Sequence, residues 1–509
     1  MKNKIIFFIK NKYFGFFLFL LGVLASLGFP PFHLFPVTIL CYSLVIYFFT
    51  LNIKNNGDIF LCSFYFSFGN HLGLLYWIAI SFKTANIGGY FAGAIAVIFL
   101  SAFLSIFVAL SFYFLFKYTK NFRSIFFGIV FIFIFSLLDW LKGNILWGFP
   151  WTPISSLWSF SSNVLFPFSI LGVWGYSVIT FSLVIATYYI SCNLKNSFFF
   201  IFPFLFCLIL LPKIVNTKKS FSETISIRLV QPNIKQEDKW SDDKFLNNYK
   251  KLTYLITLDN YSEIDLIVLP ETAISFDVYE LIQTNHQINF GIDQIKNLII
   301  GAIRTEKDSQ GMSIFNSMFL IKNKFEMINY HDKLKLVPFG EFLPFRNLLN
   351  LDNLTQGSLD FQKGKELNLL KLSSNINILP LICYEVIFPA LTNSLVGKYN
   401  LIVNITNDAW YKNSSGPYQH FSHTKIRAVM EGVPLVRVSN TGISGIIDSD
   451  GNVLKKLNLN EYGILDYKLN LNTIKTVYST YNETIFILIM LTLFSVICIQ
   501  IFIKKKLSV

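Results

Sequence analysis

Hydrophobic and polar positions fall along this chain in three blocks. From Tyr13 to about Leu211, long apolar runs follow one another with short polar breaks. From about Ser222 to Glu483, short apolar runs alternate with polar stretches, and a last apolar run closes the chain. A helix that crosses a bilayer needs about 20 apolar residues, with a range of roughly 17–25. On that scale the first block predicts seven spans: Tyr13–Gly28, Leu34–Leu51, Phe60–Phe82, Tyr90–Phe116, Ile125–Leu141, Val164–Ile190 and Phe198–Leu211. The last run predicts an eighth, Thr484–Ile503. The middle block predicts strands at Ile225–Val230, Leu266–Leu269, Leu298–Ile303, Ser317–Ile321, Ile376–Ile382, Leu401–Ile405, Leu435–Val438 and Ile443–Ile447. Between several of them lie polar segments of helical length, including Asp242–Leu258 and the stretch after Gln419. Strands alternating with helices signal a layered α/β domain. The expected architecture is an α-helical transmembrane bundle of about eight spans plus one α/β domain. The expected divisions are a seven-span bundle over 1–215, a globular domain over 222–480 and a closing helix over 484–503.

Composition sharpens this picture. A hydrophobic share of 53% with 56 Phe is too apolar for a soluble enzyme throughout. The formal charge of +13 invites nucleic acid, but the lysines form no patch interleaved with aromatics and sit at the ends of apolar segments. There they read as topology signals, and no nucleic-acid partner is expected. Lys2, Lys4, Lys10 and Lys12 precede the first apolar run like the start of a signal peptide. No small-x-small cleavage site follows them, so the run is expected to be a retained anchor. With those lysines on the cytoplasmic side, Lys54, Lys117, Lys120, Arg123, Lys195 and the closing Lys504-Lys505-Lys506 share that side, and the globular domain lies outside. Lys213, Lys218 and Lys219 run against the rule; contact with anionic lipid headgroups is the expectation for them. Asp139-Trp140, Lys142 and Trp147-Gly148-Phe149-Pro150-Trp151 read equally as an interfacial belt with an ion pair or as a substrate-contacting loop.

Candidate chemistry centres on one thiol. Cys41, Cys62, Cys192, Cys207 and Cys498 lie in apolar runs, which leaves Cys383 alone in the polar block, without a partner there for a disulfide. It ends the strand-like stretch Asn377-Ile378-Leu379-Pro380-Leu381-Ile382 and is followed by Tyr384-Glu385. A buried core cysteine is a common reading. A strand end, however, is where α/β proteins display reactive groups, so Cys383 is a candidate nucleophile. A thiol with a pKa of about 8.5 needs a base or a positive neighbour at neutral pH. Leu266-Ile267-Val268-Leu269-Pro270-Glu271 closes a strand on a carboxylate, and Tyr330-His331-Asp332-Lys333 runs on through Val337-Pro338-Phe339-Gly340 to Glu341. Singly each is ambiguous: a carboxylate after a strand is commonly a helix cap, and a loop lysine is commonly surface charge.

Taken together, in order and spacing, Pro270-Glu271, Lys333 and Cys383-Tyr384-Glu385 resemble the Glu-Lys-Cys triad of the carbon–nitrogen hydrolase (nitrilase) superfamily. Further stretches are similar to its integral-membrane branch, the bacterial apolipoprotein N-acyltransferases. They are Gln231-Pro232-Asn233-Ile234 with Trp240, Lys333 to Glu341, Thr406-Asn407-Asp408-Ala409-Trp410-Tyr411, Gly416-Pro417-Tyr418-Gln419-His420 and Ser439-Asn440-Thr441-Gly442-Ile443. The likeness covers essentially the whole chain. Pro232 stands where Gly is common in the branch, and Tyr411 and Tyr418 where Phe or Trp are common.

The resemblance implies an αββα sandwich carried on a membrane bundle. It also implies acyl transfer from a phospholipid such as phosphatidylethanolamine to the α-amino group of an apolipoprotein's N-terminal S-diacylglyceryl-cysteine. Glu271 then matches the general base, Lys333 the triad lysine, Cys383 the nucleophile and Glu341 a supporting carboxylate. Trp240, Tyr384 and Glu385 match positions linked to activity or substrate handling. The implied location is the bacterial inner membrane, with the globular domain on the periplasmic side. No cofactor or metal is expected, because the histidines offer no ligand set.

Phe339, Phe342-Leu343-Pro344-Phe345 and Leu348-Leu349 read equally as an apolar entrance and as loop packing. Asn407, Asp408 and Trp410 read as structural support, and Asn316 as either support or chemistry. The alternatives are an anchored amidase or nitrilase, a cysteine hydrolase using His420 or His423 as base, and a non-catalytic transporter or lipid-binding scaffold.

Overall fold

The computed structural model describes residues 13–52, 55–215, 219–274, 294–308, 311–322, 326–343, 360–395 and 397–507. Lys2, Lys4, Lys10, Lys12, Lys54, Lys218, Pro344, Phe345, Leu348 and Leu349, all invoked above, lie outside them. The described residues form two compact units. One falls within Met1–Ala79, Gly93–Asn216 and Thr480–Val509, and the other within Ile80–Ala92 and Thr217–Ser479.

The apolar helices are α1 (Phe14–Ala25), α2 (Phe35–Asn52), α3 (Asn56–Leu75), α4 (Trp77–Thr84), α5 (Gly89–Tyr118), α6 (Ile125–Asn144), α7 (Phe168–Ile190), α8 (Leu194–Ile214) and the C-terminal helix Thr484–Leu507. Among the described residues five of these, α5 to α8 and the C-terminal helix, are long and apolar enough to cross a membrane. A sixth crossing results if α3 and α4, bent by 46° where they meet, act as one. The first two predicted spans fall on α1 and α2, which are shorter apolar helices, so five or six helices reach the length that about eight spans required.

Several of their hydroxyl side chains bond locally, as an apolar surround favours. The Ser43, Ser63 and Ser105 hydroxyls donate to the carbonyls of Ile39, Ile59 and Ser101 at 2.6–2.8 Å. Asp139 and Lys142 pair at 2.7 Å with both side chains nearly buried, while Trp151 is buried against Trp77 with ring centres 4.9 Å apart. That ion pair and Trp151 are interior groups of the first unit, whereas Trp147 is exposed together with Asn144, Ile145 and Leu146 before it.

The second unit holds two six-stranded sheets. The first has the order β12-β1-β2-β3-β4-β5, built from β1 (Lys219–Gln231), β2 (Leu266–Val268), β3 (Asn297–Asp308), β4 (Gly311–Lys322), β5 (Glu326–Asp332) and β12 (Gly463–Ile474). The second has the order β11-β10-β9-β8-β7-β6, built from β6 (Leu370–Lys371), β7 (Asn377–Ile382), β8 (Leu401–Thr406), β9 (Leu435–Ser439), β10 (Ser444–Ile447) and β11 (Val453–Leu457). In each sheet a parallel trio, β1-β2-β3 or β7-β8-β9, is flanked by antiparallel strands. Strands β2, β8 and β9 of these trios are buried throughout, which explains their near-continuous Ile, Leu and Val.

Helix α9 (Asp242–Ile256) packs Leu252, Leu255 and Ile256 against Ile267, Leu298 and Ile300 of the first sheet. Helix α10 (Gly416–Glu431) starts with Pro417 in its first turn and stops at Gly432 in a left-handed conformation. All eight predicted strands are present; β5, β6, β11 and β12 were not anticipated. Lys219 opens β1 and pairs with Asp450, so its charge is met by protein.

Candidate functional site

The side chains singled out from sequence gather where the parallel strands end. Glu271 follows β2, Lys333 follows β5, Cys383 follows β7 and Asp408 follows β8. Ends of parallel strands are where open α/β sheets collect their functional groups.

Cys383 begins the 3-10 turn Cys383–Ile387 and has φ of +54°, a left-handed value that a residue with a Cβ adopts at a cost of about 1–2 kcal/mol. Its surroundings hold it there. The Cys383 carbonyl accepts from Asn404 Nδ2 at 3.1 Å and from His420 Nε2 at 3.2 Å. Asp408 accepts from His420 Nδ1 at 2.9 Å and from the Arg437 guanidinium at 2.8 Å. The Arg437 guanidinium also lies 3.0 Å from His420 Nδ1, and it donates to the Asn404 side-chain oxygen at 2.5 Å. These groups are all buried. The Arg427 guanidinium, on α10, donates to the carbonyl of Val386 within the turn and to those of Phe388 and Pro389 just beyond it. The Thr406 hydroxyl lies 3.2 Å from both Cys383 Sγ and Asp408 Oδ1, so its single proton has two acceptors to choose between.

Across from this network stand the other charges. Glu271 Oε1 accepts from Asn316 Nδ2 at 2.8 Å and from Lys333 Nζ at 3.3 Å. Glu341 Oε1 accepts from the same two groups, at 2.9 Å from Asn316 and 2.8 Å from Lys333. Its Oε2 accepts the Val337 amide at 2.8 Å, which closes the Val-Pro-Phe-Gly turn. Gly301 on β3 lets the Pro270-Glu271 turn come close: a Cβ there would sit 2.6 Å from the Pro270 oxygen and 2.7 Å from Glu271 Cα.

Electrostatics separate these groups. Burial raises the Glu271 carboxyl, but Lys333, Asn316, Lys239 and the Cys383 thiol outweigh it and hold the group below the usual carboxylate range. Burial lowers the Lys333 ammonium, yet Glu271, Glu341 and Cys383 keep it well above its ordinary value. Burial pushes the Cys383 thiol up, as do Glu271 and Asp408, with Lys333 opposing. The resting pair is therefore a neutral thiol beside a carboxylate, and the thiol reacts only as its proton is taken.

The remaining sequence candidates divide. Asn316 bridges the two carboxylates directly. Glu385 is fully buried, and its oxygens accept the amides of Leu334 at 2.6 Å, Lys335 at 3.1 Å and Ile382 at 2.7 Å. It ties the Lys333 stretch to the Cys383 turn. The Tyr384 ring meets Phe388 edge-on at 4.8 Å and is 5% exposed. Trp410 is half-buried, and Asn407 caps its turn through Ala409. Trp240 is exposed, and its neighbour Lys239 is the inward side chain. Phe339 is exposed, Phe342 half-buried and Leu343 buried. His420 presents its nitrogens to Asp408 and to the Cys383 carbonyl rather than to the sulfur, which is the place of a brace and not of a base. Sequence reasoning missed Asn404, Arg437 and Lys239, and it named Thr406 only as part of a motif. A buried lysine beside an exposed tryptophan inverts the usual pattern, so no periodicity could have found it.

Two mixed sheets with a thiol, a carboxylate and an ammonium at the strand ends form an α/β arrangement suited to attack on an acyl carbonyl. Residues 226–478 match the carbon-nitrogen hydrolase family, and residues 21–187 match the apolipoprotein N-acyltransferase N-terminal domain. The apolipoprotein N-acyltransferase of Rickettsia bellii is 32% identical over 509 residues, covering 96% of this chain and 97% of that one. That of Rickettsia prowazekii is 31% identical over 476 residues, covering 89% and 92%. The solved structure of Saccharomyces cerevisiae Nit3, a nitrilase-superfamily member, is 18% identical with a TM-score of 0.37 and covers 52% of this chain and 96% of its own. This chain belongs to the apolipoprotein N-acyltransferase family, and it is an acyltransferase of the membrane.

Proposed function

We propose that this protein moves an acyl chain from a membrane phospholipid, phosphatidylethanolamine first among them, to the α-amino group of the N-terminal S-diacylglyceryl-cysteine of apolipoproteins. The chain passes through a thioester on Cys383. The observation that carries this reading is the gathering of Glu271, Lys333 and Cys383 around one point in a chain whose relatives bear the name apolipoprotein N-acyltransferase along nearly their whole length.

Glu271 takes the thiol proton as sulfur attacks the ester carbonyl carbon. The developing oxyanion meets the Lys333 ammonium and backbone N–H groups beside Cys383. Lys333 has three N–H donors, and its described contacts engage two carboxylates, so one donor is left for the oxyanion. Loss of such a donor typically costs about 10²–10³ in rate. As the ester C–O bond breaks, Glu271 returns the proton to the leaving oxygen, and the lysophospholipid departs. A neutral amine then attacks the thioester. Glu271 takes a proton from its nitrogen and passes it to the departing sulfur, which restores the thiol and leaves an amide. The scheme is ping-pong through a covalent intermediate, and an amide is far less reactive than a thioester, so the second half runs downhill.

Placement favours transfer over hydrolysis. Both substrates reside in the bilayer, and an apolar approach disfavours water as acceptor. We assign residues 1–215 and 484–503 to the bacterial inner membrane. Residues 222–480 are assigned to catalysis on its periplasmic side, following the lysines of the connecting loops.

The test uses proteoliposomes holding phosphatidylethanolamine with a labelled acyl chain, plus a diacylated lipopeptide. Label appearing in the peptide amide supports the reading. Label released only as free fatty acid makes the protein a hydrolase.

A further inference from the structure

Lys239 takes no part in that scheme, yet it is buried against the same groups. It follows β1 through the 3-10 turn Gln236–Asp238 and is 7% exposed, whereas the adjacent Trp240 is 44% exposed. Placing an ammonium inside and an indole outside reverses the order that solvation alone would choose, and a buried ion persists only where opposite charge and hydrogen bonds compensate it. The Lys239 ammonium donates to the Glu271 carbonyl oxygen at 3.1 Å and to the Thr272 hydroxyl. Thr272 has φ of +42°, unusual for a β-branched residue and sustained only where neighbours over-determine it. Lys239 bonds to both residues of that strained turn. The turn's own position is fixed from below by Gly301 and by the Ala273 amide, which donates to the Gly301 carbonyl at 2.8 Å.

We propose that Lys239 is a positioning residue of the acyl-transfer site: its ammonium clamps the Glu271–Thr272 turn, aims the Glu271 carboxylate at Cys383 and keeps that carboxylate ionised. The inference rests on the acyl-transfer reading and deepens it.

The groups that face Glu271 come from several elements. They are Asn316 of β4, Lys333 and Glu341 after β5, Cys383 after β7, Tyr411 in the turn after β8, and Lys239 after β1. Lys333 stays protonated throughout the working range. Burial pulls Lys239 down to about 8, with Glu271 and Cys383 opposing the fall. The clamp is therefore charged below about pH 8 and loses its charge above it.

The experiment compares Lys239→Arg, Lys239→Gln and Lys239→Met in the full-length protein in phosphatidylethanolamine vesicles. The readouts are the single-turnover rate of acyl-adduct formation on Cys383 against pH, and the alkylation of Cys383 by iodoacetamide against pH, located by peptide mass spectrometry. Alkylation needs no lipid donor. Displacing the carboxylate by about 1 Å is expected to slow acylation roughly 10²-fold in the Gln and Met variants. Both variants should move the acid limb of both profiles to higher pH, because Glu271 loses a neighbouring cation. The Arg variant should keep the acid limb and lose the decline above about pH 8.

Gln or Met variants that acylate at the wild-type rate with unmoved limbs overturn the proposal. So do three variants that lose rate and thermal midpoint together with unmoved limbs, the mark of a merely structural lysine. If Met does not fold, Gln and Arg decide. A wild type that forms no adduct, while the variants still shift the alkylation profile, removes the acyl-transfer reading and keeps the clamp. A wild-type adduct with unmoved profiles in the variants removes the clamp alone.

Discussion

Two clusters of buried charge flank Cys383, and they are wired differently. On one side Glu271, Glu341, Lys333 and Asn316 bond mainly to one another, two carboxylates sharing one ammonium and one amide. On the other side the bonds of Asp408, Arg437, His420 and Asn404 lead to the carbonyl of Cys383 itself. The first set can change partners when a substrate oxygen or amine arrives, because an ammonium donor and a carboxylate face the sulfur. The second set directs its donors to Asp408, the Asn404 side chain and the Cys383 carbonyl, apart from the buried Arg437 Nε, and holds the backbone that carries the sulfur. The lesson is that burial and charge alone do not mark chemistry; what the bonds end on does.

The comparison yields predictions that break it or sharpen it. Cys383→Ala should form no acyl adduct. Glu271→Gln should slow adduct formation by about 10²–10⁴-fold, the usual worth of a positioned base, while thermal unfolding in detergent changes little, because Lys333 keeps Glu341. Lys333→Met should lose about 10²–10³ in the same rate. Asp408→Asn should act in the opposite manner. It leaves the buried Arg437 without its carboxylate and should cost about 3–5 kcal/mol in unfolding, with the acylation rate per folded molecule within about tenfold of wild type. A large rate loss with unchanged stability in that variant would merge the two clusters into one.

The smallest effects concern pH. Glu271 is held below the usual carboxylate value of about 4.3, so acylation should persist as pH falls through that value and fade only as Glu271 protonates below it. Asp408 is held at about 2 by Arg437 and His420 against its burial. Its stabilising contribution is present above its unfolded value of about 3.9 and is lost as pH falls toward 2. Stability and activity followed by thermal unfolding and single-turnover rate should decline in that low range, not at neutral pH.

Much of this was legible from residues alone. Apolar runs ending in Pro270-Glu271 and in Cys383 announced strands that deliver a polar group at their tips, and the motifs at Gln231, Asn407 and Asn440 do converge. Asn440 Nδ2 donates to the Ile234 carbonyl and to Asn407 Oδ1, while Asn407 Nδ2 donates to Gln236 Oε1. Other parts left weaker traces. Strand β11 reads Val453-Leu454-Lys455-Lys456-Leu457 and is almost wholly exposed at a sheet edge, so it carries no apolar periodicity. Strand β12 does alternate, as in Leu469-Asn470-Leu471-Asn472, but its polar face masked it. Lys239 and Arg437 look like surface charge in any pattern of hydrophobic positions, because only the packed fold shows which cations are sealed inside. Glu385, which the resemblance matched to a position linked to activity or substrate handling, accepts three backbone amides, a role that no spacing announced.

The account turns on a fatty chain carried by Cys383, and intact-protein mass spectrometry addresses it most directly. Purified protein incubated in phosphatidylethanolamine vesicles should gain the mass of one acyl chain, located on Cys383, and a diacylated lipopeptide should discharge it while gaining the same chain as an amide. Lipopeptide acylation that proceeds with no adduct on Cys383, or with Cys383→Ala as effective as the wild type, would contradict it.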